Sequence, residues 1–313
     1  MAKIGIVHDR RFLQHETGPM HPERPDRLRA LEPLLRQPGL EKKWLEIAPR
    51  KASLEEILLV HDRQHLEEVA RTAEAKGTYL DGDTFAGAHS YEAALLAAGG
   101  LVESVDRVLD GEVDSAFAWV RPPGHHAERE YAMGFCLFNN VGIAAEHLIK
   151  NKGLSRVAIV DFDVHHGNAT QHMFYDRPEI FYASTHRYPF YPGTGAASET
   201  GSGAGKGYNL NLPLAAGAGD AEYRRVFEDR LLPALREYKP QFLLISAGYD
   251  AHVRDPLGGM RVSDAGFREM TAALESVAAD FCGGKSVYTL EGGYDLEGLA
   301  GGVGETLNIL AEK

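Results

Sequence analysis

The chain has 313 residues, 44% of them hydrophobic and 25% charged, with a formal net charge of −12 at pH 7. That balance argues against a nucleic-acid-binding surface, although not against a cationic substrate. No apolar run approaches the roughly 20 residues of a membrane span, so no membrane partner is expected. Two cysteines, Cys136 and Cys282, are too few for a disulfide scaffold and point to a reducing cytoplasm.

In chain order, Ile4–Val7 reads as a short strand that leaves no room for a signal peptide before it. Ser53 and Glu56 form a capping box ahead of Ile57, Leu58 and Leu59. Ser90 opens an Ala/Leu-rich helix that runs to about Asp110 and stops at Gly111. Residues 116–120 are apolar and lead into Arg121-Pro122-Pro123-Gly124-His125-His126, and the apolar run 157–160 leads into Asp161, Asp163 and His165. Between Ile180 and Leu212 the chain is rich in glycine and is expected to be a long, ordered and functional loop. Asp220 precedes a helix over 221–238, with a kink or break expected at Pro233. Residues 241–245 form a strand leading to Asp250, Ser263 caps a helix over Asp264–Phe281, and Ser286–Leu290 is a strand leading into Glu291-Gly292-Gly293-Tyr294. Apolar strands alternating with helices, without a linker, indicate one α/β domain over residues 1–313, with a central, mostly parallel sheet flanked by helices.

Four strands therefore end in short loops that carry polar groups. In an open parallel sheet such loops converge outside the carboxyl ends of the strands, which places the site there. Side chains alternate along an extended segment, so Asp161, Asp163 and His165 can project to one side. Taken alone, this stretch could be a helix cap followed by solvated loop histidines. With Asp250 from the loop after another of these strands, Asp163 and His165 make a three-ligand set that suits zinc and leaves a position open for water. Two histidines and the Tyr294 phenol on a glycine-flexed loop complete a metallohydrolase constellation.

The strings RPPGHHA (121–127), MGFCLFNN (133–140), DFDVHHGNATQ (161–171), YPGTG (191–195), YNLNLPL (208–214), SAGYDAH (246–252), DPLGG (255–259) and LEGGY (290–294) resemble the histone deacetylase superfamily, in its class II and bacterial deacylase branch. They keep the family's order and span most of the chain. The resemblance implies an arginase/deacetylase-like fold and one zinc per chain. It implies an amidohydrolase that removes acetyl or other acyl groups from acylated lysine side chains of a peptide, protein or small molecule. Arginase-like chemistry would need further aspartates for a second metal. A polyamine or small-amide deacetylase, and a non-catalytic acyl-lysine binder, are the alternatives. Leu257 stands where polyamine-selective relatives place a glutamate, so no strong spermidine selectivity is expected. An intact Tyr294 and metal set argue against the silent binder.

Residue by residue, the resemblance implies that His126 is the general base and then acid, and that His125 is an electrostatic partner of Asp161. Asn168 would accept a ring N–H of His126 without adding negative charge. His166 is expected to be structural. Potassium is implied at an inner site (Asp161, Asp163, His165, Ser184, Thr185) and an outer one (Phe174, Arg177, Ile180, Tyr208). Phe135, Gly134 and Tyr191 would line the tunnel, Leu257 and Asp83 its rim, and Arg27 a channel for released product. From the residues alone, Arg27 reads equally well as a surface arginine.

Overall fold

The computed structural model describes residues 3–75 and 77–313. Among them the strands are β1 (Ile4–Val7), β2 (Trp44–Glu46), β3 (Thr78–Tyr79), β4 (Phe85–Ala86), β5 (Ser115–Ala118), β6 (Val157–Asp161), β7 (Ile180–Arg187), β8 (Asn209–Leu214), β9 (Phe242–Ala247) and β10 (Ser286–Leu290). Eight make one sheet in the order β2-β1-β5-β10-β9-β6-β7-β8. Every pairing in it is parallel, and antiparallel pairing is confined to the small β3–β4 hairpin.

A parallel sheet with helices on both faces needs strands that are apolar throughout. The central strands meet that condition: β6 (VAIVD), β9 (FLLISA) and β10 (SVYTL) are buried at every position. Helices over Ser90–Leu109, Asn140–Glu146, Asp264–Phe281 and Leu296–Leu310 flank the sheet. In the register, Asp161 stands opposite both Ser246 and Ser184, and Leu290 opposite Ala247. The chemistry-bearing loops after β5, β6, β9 and β10 thus start from one rim, as the strand-end argument requires.

Several local expectations change. Strand β5 stops at Ala118 instead of continuing to Val120, and β9 continues to Ala247. Ser90 is the first residue of its helix and not its cap: its Oγ accepts the Gly87 N–H at 2.8 Å and meets His15 Nδ1 at 2.7 Å. Residues 180–187 are the buried strand β7, so the glycine-rich loop covers only 188–208. Pro233, which has no N–H to donate, is accommodated by a π-turn over Phe227–Leu231 between helices Asp220–Val226 and Leu232–Tyr238.

The N-terminal segment is fastened to the rim by buried charge. Glu23 accepts from Arg121 through Nε and, at 2.6 Å, through Nη2, and from Arg27 Nη1 at 3.1 Å; all three side chains are fully buried. Arg121 also donates to the carbonyls of Phe12 and His15 at 3.0 and 3.1 Å. Arg27 donates to Gly293 O at 2.6 Å and to Glu291 O, which ties the first helical turn to the loop that carries Tyr294. Burial alone would raise the Glu23 pKa, but Arg121 and Arg27 bring it down to about 2.

Removing one partner of a buried ion pair costs about 3–5 kcal/mol, so Glu23→Gln should lower the unfolding free energy in urea by that order at pH 7. The Glu23 pKa falls on folding, from the usual 4.5 to about 2. Its stabilisation is therefore complete above the unfolded value and lost as the pH falls towards the folded one. The gap between wild type and Glu23→Gln should shrink between pH 5 and pH 3. A gap below 1 kcal/mol at pH 7, or one that widens in acid, contradicts this account.

Candidate active site

A narrow cavity of about 90 Å³ opens at the carboxyl rim, lined by Asp83, Pro123, His125, His126, Gly134, Phe135, His165, Tyr191, Leu257, Gly292 and Tyr294. At its floor, ligand atoms of Asp163, His165 and Asp250 lie within 4.8 Å of one another. His165 Nδ1 is 3.1 Å from Asp163 Oδ1 and 3.1 Å from Asp250 Oδ2. Asp163 also accepts the main-chain N–H of His165 at 2.9 Å and of Gly292 at 2.8 Å, and Asp250 Oδ1 accepts that of Val164 at 2.8 Å.

Asp250 Oδ2, in contrast, is buried and accepts no well-aligned hydrogen bond, although His165 Nδ1 stands close by. A carboxylate oxygen in that position needs a cation. Burial would lower the His165 pKa, but Asp163 and Asp250 raise it to about 10, whereas burial and then Asp163 push Asp250 up to about 7. Two carboxylates and an imidazole, with one oxygen unsatisfied, suit a divalent metal of the borderline-soft kind. Gly292 is required here, because a Cβ would stand 2.1 Å from Asp250 Oδ2 and 2.6 Å from Asp163 Oδ2.

His125 and His126 lie 4.0 Å apart between ring centroids, tilted by 44°, yet their environments are opposite. His125 Nδ1 is 3.0 Å from Asp161 Oδ2, which also accepts from the Tyr182 hydroxyl at 3.1 Å. Burial opposes the charge on His125, but Asp161, Asp163 and Glu291 outweigh it and raise its pKa to about 10. His126 Nδ1 meets Asn168 Oδ1 at 2.7 Å. Burial, then the His125 and His165 charges, hold its pKa well below the ordinary histidine value. The two rings are pushed in opposite directions, His125 towards the cation and His126 towards the neutral imidazole, and both line the cavity.

Tyr294 is half-buried, its main-chain N–H donating to Asp255 Oδ2 at 2.7 Å and its ring covered by the Arg27 guanidinium at 5.1 Å. Burial and then Asp250 raise its pKa well above 10, which keeps the phenol a donor. Phe135 stands edge-on to Tyr294 at 6.0 Å, and Tyr191 edge-on to His126 at 5.2 Å, and both line the cavity. Gly134 adopts φ +57°, and a Cβ there would lie 2.5 Å from the His126 ring. Asp83 lies near the rim, where burial and then Asp81 raise its pKa. Leu257 is 38% exposed there.

The structure therefore gathers His125, His126, Tyr294, Asp161, Asn168 and the Asp163–His165–Asp250 set as the sequence suggests, and it buries Arg27, which removes the surface-arginine reading. His166 is structural, held between Thr194 Oγ1 (2.7 Å) and Gln171 Oε1 (3.0 Å). For the inner cation set, β6–β7 pairing brings Ser184 opposite Asp161, and the buried Thr185 hydroxyl has no partner. In the outer set, the carbonyls of Phe174, Arg177 and Tyr208 accept main-chain N–H groups, and the Arg177 side chain turns to Glu146 at 2.8 Å and Glu179 at 3.1 Å.

Three residues escape the sequence reading. Glu291, raised by burial to about 7 with His125 pulling the other way, accepts from the N–H groups of Gly124 (2.7 Å) and His125 (3.2 Å) and positions the histidine turn. Glu128 meets Asn168, and Glu23 anchors Arg27. Glu291 and Glu128 pair with residues 167 and 40 positions away, which no local pattern marks, while Glu23 joins Arg27 at i+4 to Arg121 98 positions away. Glu291 sits within the LEGGY string but carries no signal that separates it from a helix cap.

The family described as "Histone deacetylase domain" matches residues 21–310. A probable deacetylase of Archaeoglobus fulgidus is 41% identical over 296 residues, covering 94% of this chain and 82% of that protein. Histone deacetylase 15 of Arabidopsis thaliana is 42% identical over 318 residues, covering 99% of this chain and 57% of that longer protein. The crystal structure of the HDA15 HD domain shares the fold with a TM-score of 0.95 at 40% identity, over 100% of this chain and 90% of that one. On this sequence match and this site, the chain belongs to the histone deacetylase family.

Proposed function

We propose that the protein is a zinc-dependent amidohydrolase that releases acetyl or other acyl groups from the side-chain amine of acylated lysine. The observation that carries this reading is the adjacent pair of histidines, His125 against Asp161 and His126 against Asn168, beside a three-ligand cluster with a buried carboxylate oxygen that accepts no hydrogen bond. Asp163, His165 and Asp250 would hold the metal. A divalent ion there supplies Lewis-acid polarisation of the amide carbonyl and lowers the pKa of bound water towards ~7.

His126, neutral and with Nδ1 engaged by Asn168, keeps Nε2 free to take a proton from the attacking water and return it to the leaving amine. His125 stays charged against Asp161 and supports the negative charge that develops. The Tyr294 hydroxyl donates to the tetrahedral oxyanion. Phe135 and Tyr191, with Gly134 giving clearance, would flank the alkyl chain. Asp83 would accept from substrate backbone, and Leu257 would pack at the mouth. Arg27, whose guanidinium faces the Tyr294 ring, would line the way out for the acid product. Potassium at the two carbonyl-rich sets would be structural; the unpartnered Thr185 hydroxyl favours the inner one.

Eight strands drawn from both ends of the chain form one continuous sheet between β2 and β8, which supports one catalytic domain for residues 1–313. Among the described residues no helix is long and apolar enough to cross a membrane. Both cysteines are buried and unpaired, in keeping with a reducing cytoplasm. The apolar Leu257 supplies no charge for a distant ammonium, so an acetyl-lysine peptide should be hydrolysed at least as efficiently as acetylspermidine or acetylcadaverine. A tenfold or greater preference for the polyamines in kcat/KM would reverse that ranking.

General acid–base catalysis is worth ~10²–10⁴-fold, so His126→Ala should lower kcat on that scale and by more than His125→Ala. Equal or reversed losses would show the roles exchanged. Tyr294→Phe removes one oxyanion donor and should lower kcat about 10²–10³-fold. KM should change far less, since the ground-state carbonyl is the weaker acceptor. A kcat within threefold of wild type removes Tyr294 from the mechanism.

A further inference from the structure

His126 and Asn168 meet through a single contact, Nδ1 to Oδ1 at 2.7 Å. A primary amide has an acceptor end and a donor end of nearly the same shape, so two arrangements fit such a contact. With oxygen towards the ring, Nδ1 carries the hydrogen and Nε2 keeps its lone pair. With the amide turned over, its NH₂ donates to Nδ1, the ring hydrogen moves to Nε2, and the ring can no longer accept a proton from that side. The two arrangements have opposite catalytic consequences.

The far end of Asn168 decides between them. Its Nδ2 lies 2.5 Å from Glu128 Oε1 and 3.5 Å from Met133 Sδ, both acceptors. A carboxylate has no hydrogen to offer, so an amide oxygen turned towards Glu128 would be repelled in a buried site. Glu128 cannot swing away. The same Oε1 receives His172 Nδ1 at 2.8 Å, and that bond, against some burial, raises the His172 pKa. Its main-chain carbonyl accepts from His61 Nδ1 at 2.8 Å, and His61 is fixed in that tautomer because its Nε2 accepts the Asn139 N–H at 2.8 Å. Its own N–H donates to Tyr131 O at 2.9 Å.

We infer that Glu128 is a positioning residue: it orients the Asn168 amide and so holds His126 as the Nδ1–H tautomer, with Nε2 free towards the cavity. Only the kinetic consequence rests on the amidohydrolase reading, since the tautomer is a property of the resting protein. A neutral Asn at 168 needs this partner. An aspartate there would accept from His126 in either orientation, but would stand against the Glu128 carboxylate.

The test combines ¹⁵N NMR of histidine-labelled, zinc-loaded protein with kinetics on an acetyl-lysine peptide. In the wild type His126 should be the Nδ1–H tautomer, and in Glu128→Gln that population should fall. Glu128→Gln should lower kcat tenfold or more with KM within threefold. Asn168→Asp alone should lose a similar factor, because two carboxylates then oppose each other. In the double variant the amide introduced at position 128 can donate to the carboxylate introduced at position 168, and kcat should return to within threefold of wild type. A merely structural role would make the two losses multiply. An Nε2–H tautomer in the wild type, an unchanged tautomer and kcat in Glu128→Gln, or a double variant no better than the worse single would each overturn the assignment. If the tautomers behave as described while the wild type leaves the peptide intact, the assignment stands and the proposed activity fails.

Discussion

Four fully buried carboxylates, Asp161, Asp163, Asp250 and Glu291, converge under one rim of the sheet, and the surrounding structure is organised around compensating them. Burying a charge without a partner is costly enough that each oxygen must be accounted for. Asp161 has His125 and Tyr182; Glu291 has the N–H groups of Gly124 and His125 and the Ser246 hydroxyl; Asp163 has those of His165 and Gly292. Asp250 has the Val164 N–H on one oxygen and, on the other, only the close approach of His165 Nδ1 at 3.1 Å, with no hydrogen bond formed. Asp163, His165 and Asp250 thus meet with one carboxylate oxygen short of a hydrogen bond, the arrangement that a bound metal would complete.

The same constraint explains why the two histidines differ. His125 is drawn into the carboxylate cluster, which raises its pKa, whereas burial, then His125 and His165, lower that of His126. Adjacent positions in one turn therefore favour opposite protonation states. Asn168 adds no further charge next to His126, which leaves the base weakly basic. The glycines of the rim serve the same compact arrangement: side chains at Gly292 or Gly134 would collide with the carboxylates or with the base itself.

Much of this was legible in the sequence because strand periodicity and strand-end loops place chemistry in predictable positions. The run of Asp161, Asp163 and His165 after four apolar residues is the clearest case, and β1 and β10 fall where apolar patterning puts them. Strand β7 is harder to read. Ser184, Thr185 and His186 are buried polar residues that interrupt its apolar run, so residues 180–187 resemble the glycine-rich loop that follows. Ser90 looks like a helix cap from its residue type, but its hydroxyl is committed to His15, 75 positions away. Arg27, equally readable as a surface residue, is resolved by burial against Glu23 and the Tyr294 loop. Glu128 carries no local signal, because what defines it is a partner 40 positions distant, and for Glu23 the i+4 arginine is visible in the sequence but the buried Arg121, 98 positions away, is not. Pairing at that range is a property of the folded sheet.

The account rests most heavily on the unsatisfied oxygen of Asp250. Calorimetric titration of chelator-treated protein with zinc, for the wild type and for Asp250→Asn, addresses it directly. The asparagine keeps an acceptor for the Val164 N–H but removes the charge at the cavity floor. The account predicts one zinc per wild-type chain and at least a hundredfold weaker binding in the variant, with both proteins folded by circular dichroism. Equal affinity in the two, or a wild type that binds no zinc, would contradict it.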